Sequence, residues 1–264
     1  MAQRTKAEVA AEQQGPAIRP LTKREMELLS VLLTNVKDKD QILNDPRLGI
    51  YPDIPGKYKH APENKPYEYY RELLIERGNY LRVALGASFY RENKDILEQA
   101  GKKYGVDSFT ITAILGIESS YCSGAGDYSA LNVFVSHMLL FKDEDRKNYG
   151  LDQLKQFMVF CKKNNYDPYS VPSSYAGAIG YGQFIPSSLN GSFIDGDGDG
   201  VADPFSRADC IYSIANYLKK AGWGKSDESH YKAIYAYNHS DNYTKAMIEL
   251  ADLIRKDVQG RKGE

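Results

Sequence analysis

A single glutamate directly follows the most apolar helical stretch of the sequence. Glu118 comes after the segment FTITAILGI, with Ile114 and Ile117 beside it on the helix. Burial among apolar side chains disfavours a charged carboxylate, so the pKa of Glu118 is predicted to rise from its ordinary value of about 4.3. A glutamic acid that stays protonated near neutral pH can act as a general acid. The alternative is a solvent-exposed glutamate at a helix end, and periodicity alone leaves that alternative open.

A glycine-rich stretch at residues 176–184, AGAIGYGQF, brings polar side chains into a tight loop. Its three glycines allow the backbone to approach a partner closely, and they place Tyr181 and Gln183 together. The stretch lacks the GK[ST] ending and the preceding strand of a phosphate-binding loop. It indicates either a loop that approaches a bound partner or an ordinary turn.

A second tract of polar and aromatic residues, YAYNHSDNY, covers residues 235–243. Tyrosine and asparagine side chains supply the hydrogen-bond donors and acceptors that sugar hydroxyls and acetamides require. Tyr237 and Asn238 are the candidates for such contacts, whereas His239 fits a surface or helix-capping position. Because the chain has only 4 scattered histidines, a histidine metal cluster is not expected.

The segment DGDGDG at residues 195–200 has the spacing of a calcium loop. Carboxylates at positions 1, 3, 5 and 9 and a glycine at position 6 match most of an EF-hand loop, in which hard oxygen ligands surround a sharp turn. Position 12 is Ser206 in place of the bidentate glutamate, but Asp209, one turn into the next helix, can supply the missing carboxylate. The alternative is a solvated acidic turn. The predicted ligands of a structural calcium ion are Asp195, Asp197, Asp199, Val201, Asp203 and Asp209.

The composition limits the classes of partner. The chain has 264 residues, with 34 Lys and Arg against 35 Asp and Glu, and the resulting charge of −1 gives no electrostatic footprint for nucleic acid. The longest apolar runs are far shorter than the roughly 20 residues of a transmembrane helix. Tyr is frequent, at 21 residues against 9 Phe, and a tyrosine ring suits the apolar face and hydroxyl rim of a sugar. Most of these tyrosines are equally compatible with packing at a half-buried surface.

The three cysteines carry little functional information. Cys122, Cys161 and Cys210 are an odd number without CxxC spacing, so they fit neither a full disulfide framework nor a zinc site. The redox compartment stays open, and no organic cofactor is predicted.

The elements that carry these candidate residues are predicted to be helices. Helical periodicity covers residues 67–103, a segment ending at Phe141 and residues 151–161, and no strand-like alternation of any length appears. Prolines between residues 44 and 66 predict an irregular connection. The predicted helix starts are a capping box at Thr22 and capping residues at Asp107 or Ser108, Ser206 and Ser240. The fold class is therefore mainly α.

The N-terminal residues have a different composition. Residues 1–20 are polar, lack the apolar core of a signal peptide and end in proline, which predicts a flexible tail. Residues 21–66 are predicted to form an N-terminal helical extension together with the irregular connection.

Taken in order, these motifs resemble the lytic transglycosylases of the membrane-bound lytic transglycosylase B type, which cleave peptidoglycan. The resemblance spans residues 86–243, from GASF through KYGVDSFTITAILGIESSY, SYAGAIGYGQFIPSS and DGDGDGVADP to YAYNHSDNY. Several motifs in the right order are more specific than any one of them. The resemblance implies a lysozyme-like helical domain of the goose-type lysozyme and lytic transglycosylase kind, with an EF-hand-like loop. It makes residues 21–264 a single catalytic domain.

The resemblance also assigns roles to individual positions. Glu118 matches the single catalytic glutamate of the family, and Tyr237 with Asn238 matches the Tyr-Asn pair that faces it. The positions that match residues lining the glycan cleft are Ser174, Tyr181 and Gln183. Two positions depart from the family pattern, because Cys122 and Ser173 stand where glycine is usual. Because Cys122 places a side chain beside the helix that carries Glu118, the resemblance does not determine the shape of the cleft or the substrate preference.

The implied reaction cleaves the β-1,4 bond between N-acetylmuramic acid and N-acetylglucosamine and leaves a 1,6-anhydro end, with Glu118 acting as acid and then as base. The implied partner is the peptidoglycan glycan strand, in the cell envelope, the periplasm or outside the cell, and the chain is expected to be a monomer. Two alternatives stay open. One is a hydrolase on the same fold, as in goose-type lysozymes, in which water attacks. The other is a catalytically silent glycan-binding or calcium-stabilised module.

Overall fold

The computed structural model describes residues 15–59, 66–76, 78 and 80–260, and this part of the chain is mainly helical. Its α-helices, numbered α1 to α13 in chain order, are Lys23–Leu32, Lys39–Leu43, Ile54–Lys59, Tyr67–Arg71, Leu81–Glu92, Lys94–Tyr104, Ser108–Ser119, Ala130–Leu140, Glu144–Asn164, Pro186–Ser192, Arg207–Lys220, Asp227–Tyr237 and Asp241–Gly260. A π-helical turn, Glu72–Glu76, follows α4. Two-residue strands, β1 (Tyr128–Ser129) and β2 (Pro172–Ser173), pair in antiparallel fashion. None of these described helices combines the length and apolar character needed to cross a membrane.

The chain divides into two compact units. The described residues of the first unit are 15–59, 126–179 and 185–190, and those of the second are 66–76, 78, 80–125, 180–184 and 191–260. The prediction that residues 21–264 form one catalytic domain stays a prediction.

The core of the first unit forms where α8 (Ala130–Leu140) packs against α9 (Glu144–Asn164). The sequence of α8 is apolar on nearly every face, and every residue from Ala130 to Met138 is buried, as expected for a helix without a polar side. Phe134 and Phe157 are fully buried, and their ring centroids lie 5.9 Å apart. The aromatic contact joins the two helices.

The second unit is built around α7 (Ser108–Ser119). All residues from Phe109 to Gly116 are buried, and α5, α6, α11 and α13 pack against this helix. The carboxylate of Asp107 caps its start by accepting the Thr110 N–H over 2.9 Å. The apolar sequence of α7 therefore places it at the centre of the unit and brings its carboxyl end to Glu118.

The predicted helix starts at Thr22, Asp107 and Ser206 are confirmed. Thr22 and Glu25 form the complete capping box at the start of α1. Ser206 caps α11 by accepting the Asp209 N–H over 3.3 Å. Local capping chemistry depends on neighbouring residues alone, so the sequence suffices to predict it.

Helices α12 and α3 are among those absent from the sequence prediction. On α12 (Asp227–Tyr237) only Ala233 and Ile234 are buried, so the apolar stripe is too short to give a clear period. Helix α3 (Ile54–Lys59) lies inside the predicted irregular connection and is held by buried Ile54. Both helices depend on tertiary contacts more than on a local pattern.

Two predicted helical segments have different bounds in the structure from those that the sequence predicts. The periodic segment 67–103 contains the π-helical turn and separate helices α5 (Leu81–Glu92) and α6 (Lys94–Tyr104), with Asn93 between them. Residues 151–161 lie inside the longer helix α9. Its first turns, outside that segment, are mostly polar, so hydrophobic periodicity does not detect them.

The predicted flexible tail ends too late in the sequence. Residues 1–14 lie outside the described residues. Arg19 and Ile50 exchange two backbone hydrogen bonds of 3.0 and 2.9 Å, and the Arg19 guanidinium pairs with Glu25 over 2.7 Å. The boundary at residue 20 is therefore wrong, because a long-range backbone bridge already holds Arg19.

Candidate active site

Glu118 lies in the last turn of α7, where a buried tyrosine hydroxyl contacts it. The Tyr243 hydroxyl donates a hydrogen bond to Glu118 Oε1 over 2.6 Å. Tyr243 is 1% exposed and lies in the first turn of α13, where the Ser240 hydroxyl accepts its backbone N–H over 3.2 Å. Burial and the negative charge of Glu118 raise the pKa of Tyr243 well above its ordinary value, so its hydroxyl stays protonated and remains a donor.

A second tyrosine, Tyr237, also lies within the electrostatic reach of Glu118. Burial, and after it the charge of Glu118, raises the pKa of Tyr237 well above its ordinary value. The Tyr237 hydroxyl donates to the Gly182 carbonyl over 2.5 Å. Asn238 follows as the C-terminal cap of α12. Tyr237 therefore connects the glycine-rich loop to the surroundings of Glu118.

The loop from Gly180 to Gln183 is held by a contact with Pro204 and by a side-chain hydrogen bond within the loop. Gly180 has a φ of +75°, and a side chain there would clash with the Pro204 carbonyl, so the turn requires glycine. The Tyr181 N–H donates to that same carbonyl over 2.9 Å. The Gln183 side-chain amide donates to the Gly180 carbonyl over 2.8 Å. These contacts fix the backbone at Tyr181 and the side chain of Gln183.

Ser174 is the predicted site residue that belongs to the first unit. Its hydroxyl accepts the backbone N–H groups of Ala176 and Ala178 over 3.3 and 3.2 Å, so it stabilises the start of the glycine-rich stretch. The predicted residues that belong to the second unit are Glu118, Tyr181, Gln183, Tyr237 and Asn238. Within that unit the structure brings Glu118, Tyr237 and the loop at Gly182 together.

Cys122 lies in a left-handed turn just after Glu118. Ser120, Tyr121 and Cys122 have φ angles of +49°, +60° and +64°. Such angles favour glycine, so the family preference for glycine at position 122 has a backbone reason. The thiol is free, and burial raises its pKa to about 11. Cys122 is therefore a weak nucleophile at neutral pH.

The acidic loop is organised by hydrogen bonds from its own backbone. Asp195 accepts the N–H groups of Gly198 and Gly200 over 2.6 and 2.8 Å. Buried Asp209 accepts those of Gly196 and Asp203 over 2.7 and 2.8 Å. The carboxylates of Asp195 and Asp209 are thus directed into the loop.

Three of the six predicted calcium ligands come together. One carboxylate oxygen from each of Asp195, Asp197 and Asp209 lies within 4.8 Å of the others. Ligands around one calcium ion, each about 2.3–2.6 Å from it, are separated by at most about 5 Å, so the spacing fits this cation. The Asp199 carboxylate instead accepts the Val201 N–H over 2.8 Å, and the Asp203 carboxylate accepts the Phe205 N–H over 2.9 Å.

Two residues near Glu118 were not among the sequence candidates. Tyr243 is the last residue of the tract YAYNHSDNY, which was predicted to supply contacts to sugar, but it was not predicted as a site residue, and it follows the Ser240 cap on the apolar face of α13. The Arg82 guanidinium donates a hydrogen bond to the Gly116 carbonyl. The Arg82 backbone carbonyl accepts a hydrogen bond from the Tyr121 hydroxyl over 2.7 Å. Its sequence neighbours give no sign of this long-range contact, which connects α5 to the end of α7.

Comparison with known proteins identifies the family. The sequence profile described as Transglycosylase SLT domain matches residues 35–232. Because this match covers most of the chain, the chain belongs to the transglycosylase SLT domain family. The membrane-bound lytic murein transglycosylase B of Escherichia coli K12 is 34% identical over 159 residues, which are 60% of this chain and 43% of that protein. This chain therefore matches less than half the length of that relative.

Solved structures show the same fold. The Escherichia coli lytic transglycosylase Slt35 in complex with calcium matches with a TM-score of 0.74 and 22% identity, over 89% of this chain and 94% of that chain. SltB3 from Pseudomonas aeruginosa in complex with NAG-anhNAM-pentapeptide matches with a TM-score of 0.73 and 22% identity, over 88% of this chain and 79% of that chain. The predicted mainly α, lysozyme-like transglycosylase fold is confirmed.

Proposed function

We propose that this chain is a peptidoglycan lytic transglycosylase, with Glu118 as its single acid and base. The observation that carries the proposal is the carboxylate at the end of a buried helix, held by the Tyr243 hydroxyl at 2.6 Å, in a chain of the transglycosylase SLT domain family. A catalytic carboxylate needs such a fixed orientation, because proton transfer requires close and directed contact with the substrate oxygen.

In the first step, protonated Glu118 donates its proton to the glycosidic oxygen between N-acetylmuramic acid and N-acetylglucosamine. The C1–O bond breaks, the N-acetylglucosamine part leaves as an alcohol, and positive charge develops at C1 of the muramic acid. The 2-acetamido group of the substrate stabilises this charge by attack of its carbonyl oxygen, a role that a second carboxylate plays in ordinary retaining glycosidases.

In the second step, Glu118 is ionised and accepts the proton of the muramyl 6-hydroxyl. The freed oxygen attacks C1 within the same sugar, the acetamido oxygen leaves, and the 1,6-anhydro ring closes. Glu118 returns to its protonated form, so one residue serves both steps. Water is not consumed.

The other predicted residues would bind and orient the sugar. Tyr181, Gln183 and Asn238 offer donors and acceptors to the acetamide and hydroxyl groups, and Tyr237 positions the loop through the Gly182 carbonyl. We propose Ser174 as a further cleft residue on the basis of the family motif. Its hydroxyl would contact the glycan in addition to its own turn.

Replacement Glu118→Gln tests the acid and base role. We expect digestion of purified sacculi to fall about 10²–10⁴-fold, the range expected for loss of general acid–base catalysis. Glu228→Gln, at an exposed glutamate of α12, should keep full activity. Mass spectrometry of the wild-type products should find 1,6-anhydro ends. If the products carry reducing ends and no anhydro ends, the protein is a hydrolase and not a transglycosylase. Full activity of Glu118→Gln would overturn the proposed mechanism.

We propose that the acidic loop binds one structural calcium ion through Asp195, Asp197 and Asp209. Support comes from the 4.8 Å spacing of these carboxylate oxygens and from the calcium complex of Slt35, which has the same fold. Asp199, Val201 and Asp203 would complete the coordination as oxygen donors. The ion would neutralise the loop and link it to α11, and it would supply no chemistry at Glu118.

Thermal unfolding in calcium and in chelator tests this site. At 100 times the dissociation constant, binding to the folded state adds about 2.7 kcal/mol, so we expect Tm to rise by about 5–10 °C. Asp209→Asn should abolish the rise, whereas Asp227→Asn, an exposed residue outside the loop, should retain it. Equal Tm values in calcium and chelator for the wild type would make the loop an acidic turn.

The proposed substrate places the working protein in the cell envelope, the periplasm or outside the cell. We propose that it acts as a monomer. Sedimentation analysis at the working concentration tests this, and a stable dimer would contradict it.

A further inference from the structure

A cavity in the second unit lies at the opposite end of α7 from Glu118. This Trp223 cavity encloses about 400 Å³, and its lining includes Asp107, Thr110, Trp223 and His230. Asp107 caps the start of α7 and Glu118 lies in its last turn, so about 16 Å of helix separates them. The cavity is therefore separate from the candidate active site.

Much of the lining of the Trp223 cavity is apolar. Trp223, Ile234 and Ala251 line it and are buried, whereas Ile248, which also lines it, is 37% exposed. A cavity of this volume is large enough for a small organic ligand. Its apolar side chains would favour a ligand that has a hydrocarbon part to bury.

The ring of His230 offers one nitrogen as a hydrogen-bond acceptor. The ring stacks on Trp223 with the two centroids 4.1 Å apart, and its Nε2 lies 3.0 Å from the Gly224 carbonyl oxygen. Because a carbonyl oxygen can only accept, this contact assigns the proton of the neutral ring to Nε2. His230 Nδ1 therefore keeps its lone pair.

A second acceptor, the carboxylate of Asp227, lies beside this nitrogen. Asp227 Oδ1 is 3.9 Å from His230 Nδ1, which is too far for a hydrogen bond between the two atoms. A donor nitrogen about 2.8 Å from each of them would form two short hydrogen bonds at once. The spacing therefore suits a ligand nitrogen that carries at least two N–H bonds.

The charges of the lining favour a cation. The ionised side chains in it are the carboxylates of Asp107, Asp227 and Asp252 and the guanidinium of Arg255. Arg255 pairs with Asp107 over 3.0 Å and also with Asp252. The N-termini of α7 and α12 add about half a positive charge each. The lining thus keeps an excess of about one negative charge when His230 is neutral.

We propose that the Trp223 cavity binds a primary alkylammonium group. The ammonium donates hydrogen bonds to the Asp227 carboxylate and to His230 Nδ1. The alkyl chain packs against Ile248 and the buried apolar side chains of the lining. The site needs no part of the reaction at Glu118, so the proposal is independent of the proposed function.

Titration of the full chain with pentylamine tests the site. The chain has a single tryptophan, and it lines this cavity, so its fluorescence reports directly on a bound ligand. We expect the emission of Trp223 to change with a Kd of about 1 mM, and calorimetry to give the same Kd. From ethylamine to pentylamine the affinity should rise about two- to fourfold for each CH₂ group that is buried.

Two analogues separate the parts of the ligand. Pentanol has the same chain without the charge, and pentyltrimethylammonium has the charge without an N–H bond. Both should bind at least about threefold more weakly than pentylamine, the size of effect expected for an exposed charged contact. Equal affinity for pentylamine and either analogue would overturn the proposal, as would the absence of binding by both fluorescence and calorimetry.

Replacement Asp227→Asn tests the polar contact at a fully exposed position, where folding is not at risk. It should weaken pentylamine binding about three- to fivefold and leave pentanol binding unchanged. Glu228→Gln is the matched control, because it is the next residue of α12 and lies outside the lining. It should bind pentylamine like the wild type. Equal pentylamine affinity of Asp227→Asn and the wild type would overturn the proposal.

A primary alkylammonium group can come from a free amine or from a lysine side chain, and Nα-acetyl-lysine amide distinguishes the two sources. Binding at least as tight as that of pentylamine would support a lysine side chain of a polypeptide. Weaker binding would support a free amine, because the backbone groups of the lysine derivative would then not fit.

Discussion

The chemistry of this chain depends, at the scale of single residues, on a hydrogen bond between Glu118 and Tyr243. The donor hydroxyl is buried and stays protonated, so it acts on the orientation and charge of the carboxylate. This contact makes Tyr243 a positioning residue, because its hydroxyl acts through Glu118.

Replacement Tyr243→Phe tests that role. A hydrogen bond to a carboxylate stabilises its ionised form, so its removal should move the limb of the pH–rate profile that reports ionisation of Glu118 to higher pH. We expect kcat to fall about tenfold with little change in KM, since orientation is lost and the sugar contacts remain. Tyr235→Phe, at an exposed position of α12, should match the wild type. A purely structural role would lower Tm and leave the pH profile unmoved.

At the scale of elements, the end of α7 is positioned by close packing of Gly116 against Tyr121. A Cβ atom at Gly116 would lie 2.5 Å from Tyr121 Cζ. The Tyr121 hydroxyl in turn donates to the Arg82 carbonyl over 2.7 Å, which connects this turn to α5. The position of Glu118 therefore depends on a residue without a side chain two positions before it.

Replacement Gly116→Ala should push the ring of Tyr121 away and move the last turn of α7. We expect a loss of about 1–3 kcal/mol in the free energy of unfolding, the usual cost of overpacking, together with reduced kcat. Urea unfolding and sacculus digestion measure the two effects. Gly56→Ala in α3 is the control, because nothing lies within 4 Å of its added Cβ atom. Wild-type stability of Gly116→Ala would contradict this account of the turn.

At the scale of the whole molecule, a buried histidine in the first unit limits stability in acid. His137 is 0% exposed on α8, and its Nε2 lies 3.4 Å from the Tyr58 hydroxyl. Burial, with the nearby charge of Arg146, lowers its pKa from 6.5 to about 4. Folding therefore favours neutral His137. Its stabilising effect is complete above pH 6.5 and is lost as the pH falls towards 4, because the unfolded chain takes up the proton first.

The free energy of unfolding should fall by about 3 kcal/mol across this window, at 1.36 kcal/mol for each unit of pKa difference. Urea titrations between pH 7.5 and pH 4 measure the fall. Glu25 and Asp167, whose pKa values are lowered to about 2 by Arg19 and Arg47, lose most of their contributions only below about pH 4. His137→Gln should make the free energy of unfolding nearly independent of pH between 6.5 and 4. His239→Gln, at an exposed site, should leave the pH dependence of the wild type unchanged. A wild-type curve already flat between pH 6.5 and 4 would exclude the effect.

The sequence by itself determined the features that depend on neighbouring residues. The capping residues Thr22, Asp107 and Ser206, the buried character of α7 and the acidic spacing at 195–200 all follow from local chemistry. The ordered motifs also identified the family, since their sequence order needs no coordinates. Glu118 was a candidate because its apolar neighbours precede it directly in the chain.

Only the tertiary structure decided which distant residues meet. Tyr243 contacts Glu118 across 125 positions of sequence, and an apolar stripe gives no reason to single out one of its members. The tertiary fold also decides that Asp209 meets Asp195 and Asp197 in the acidic loop. It likewise decides that Arg19 pairs with Ile50. Hydrophobic burial determines which face of a helix points inward. The partner of each polar group on that face is determined only by the packing of the helices, because a buried polar group must form its hydrogen bond with whichever group the packing places beside it.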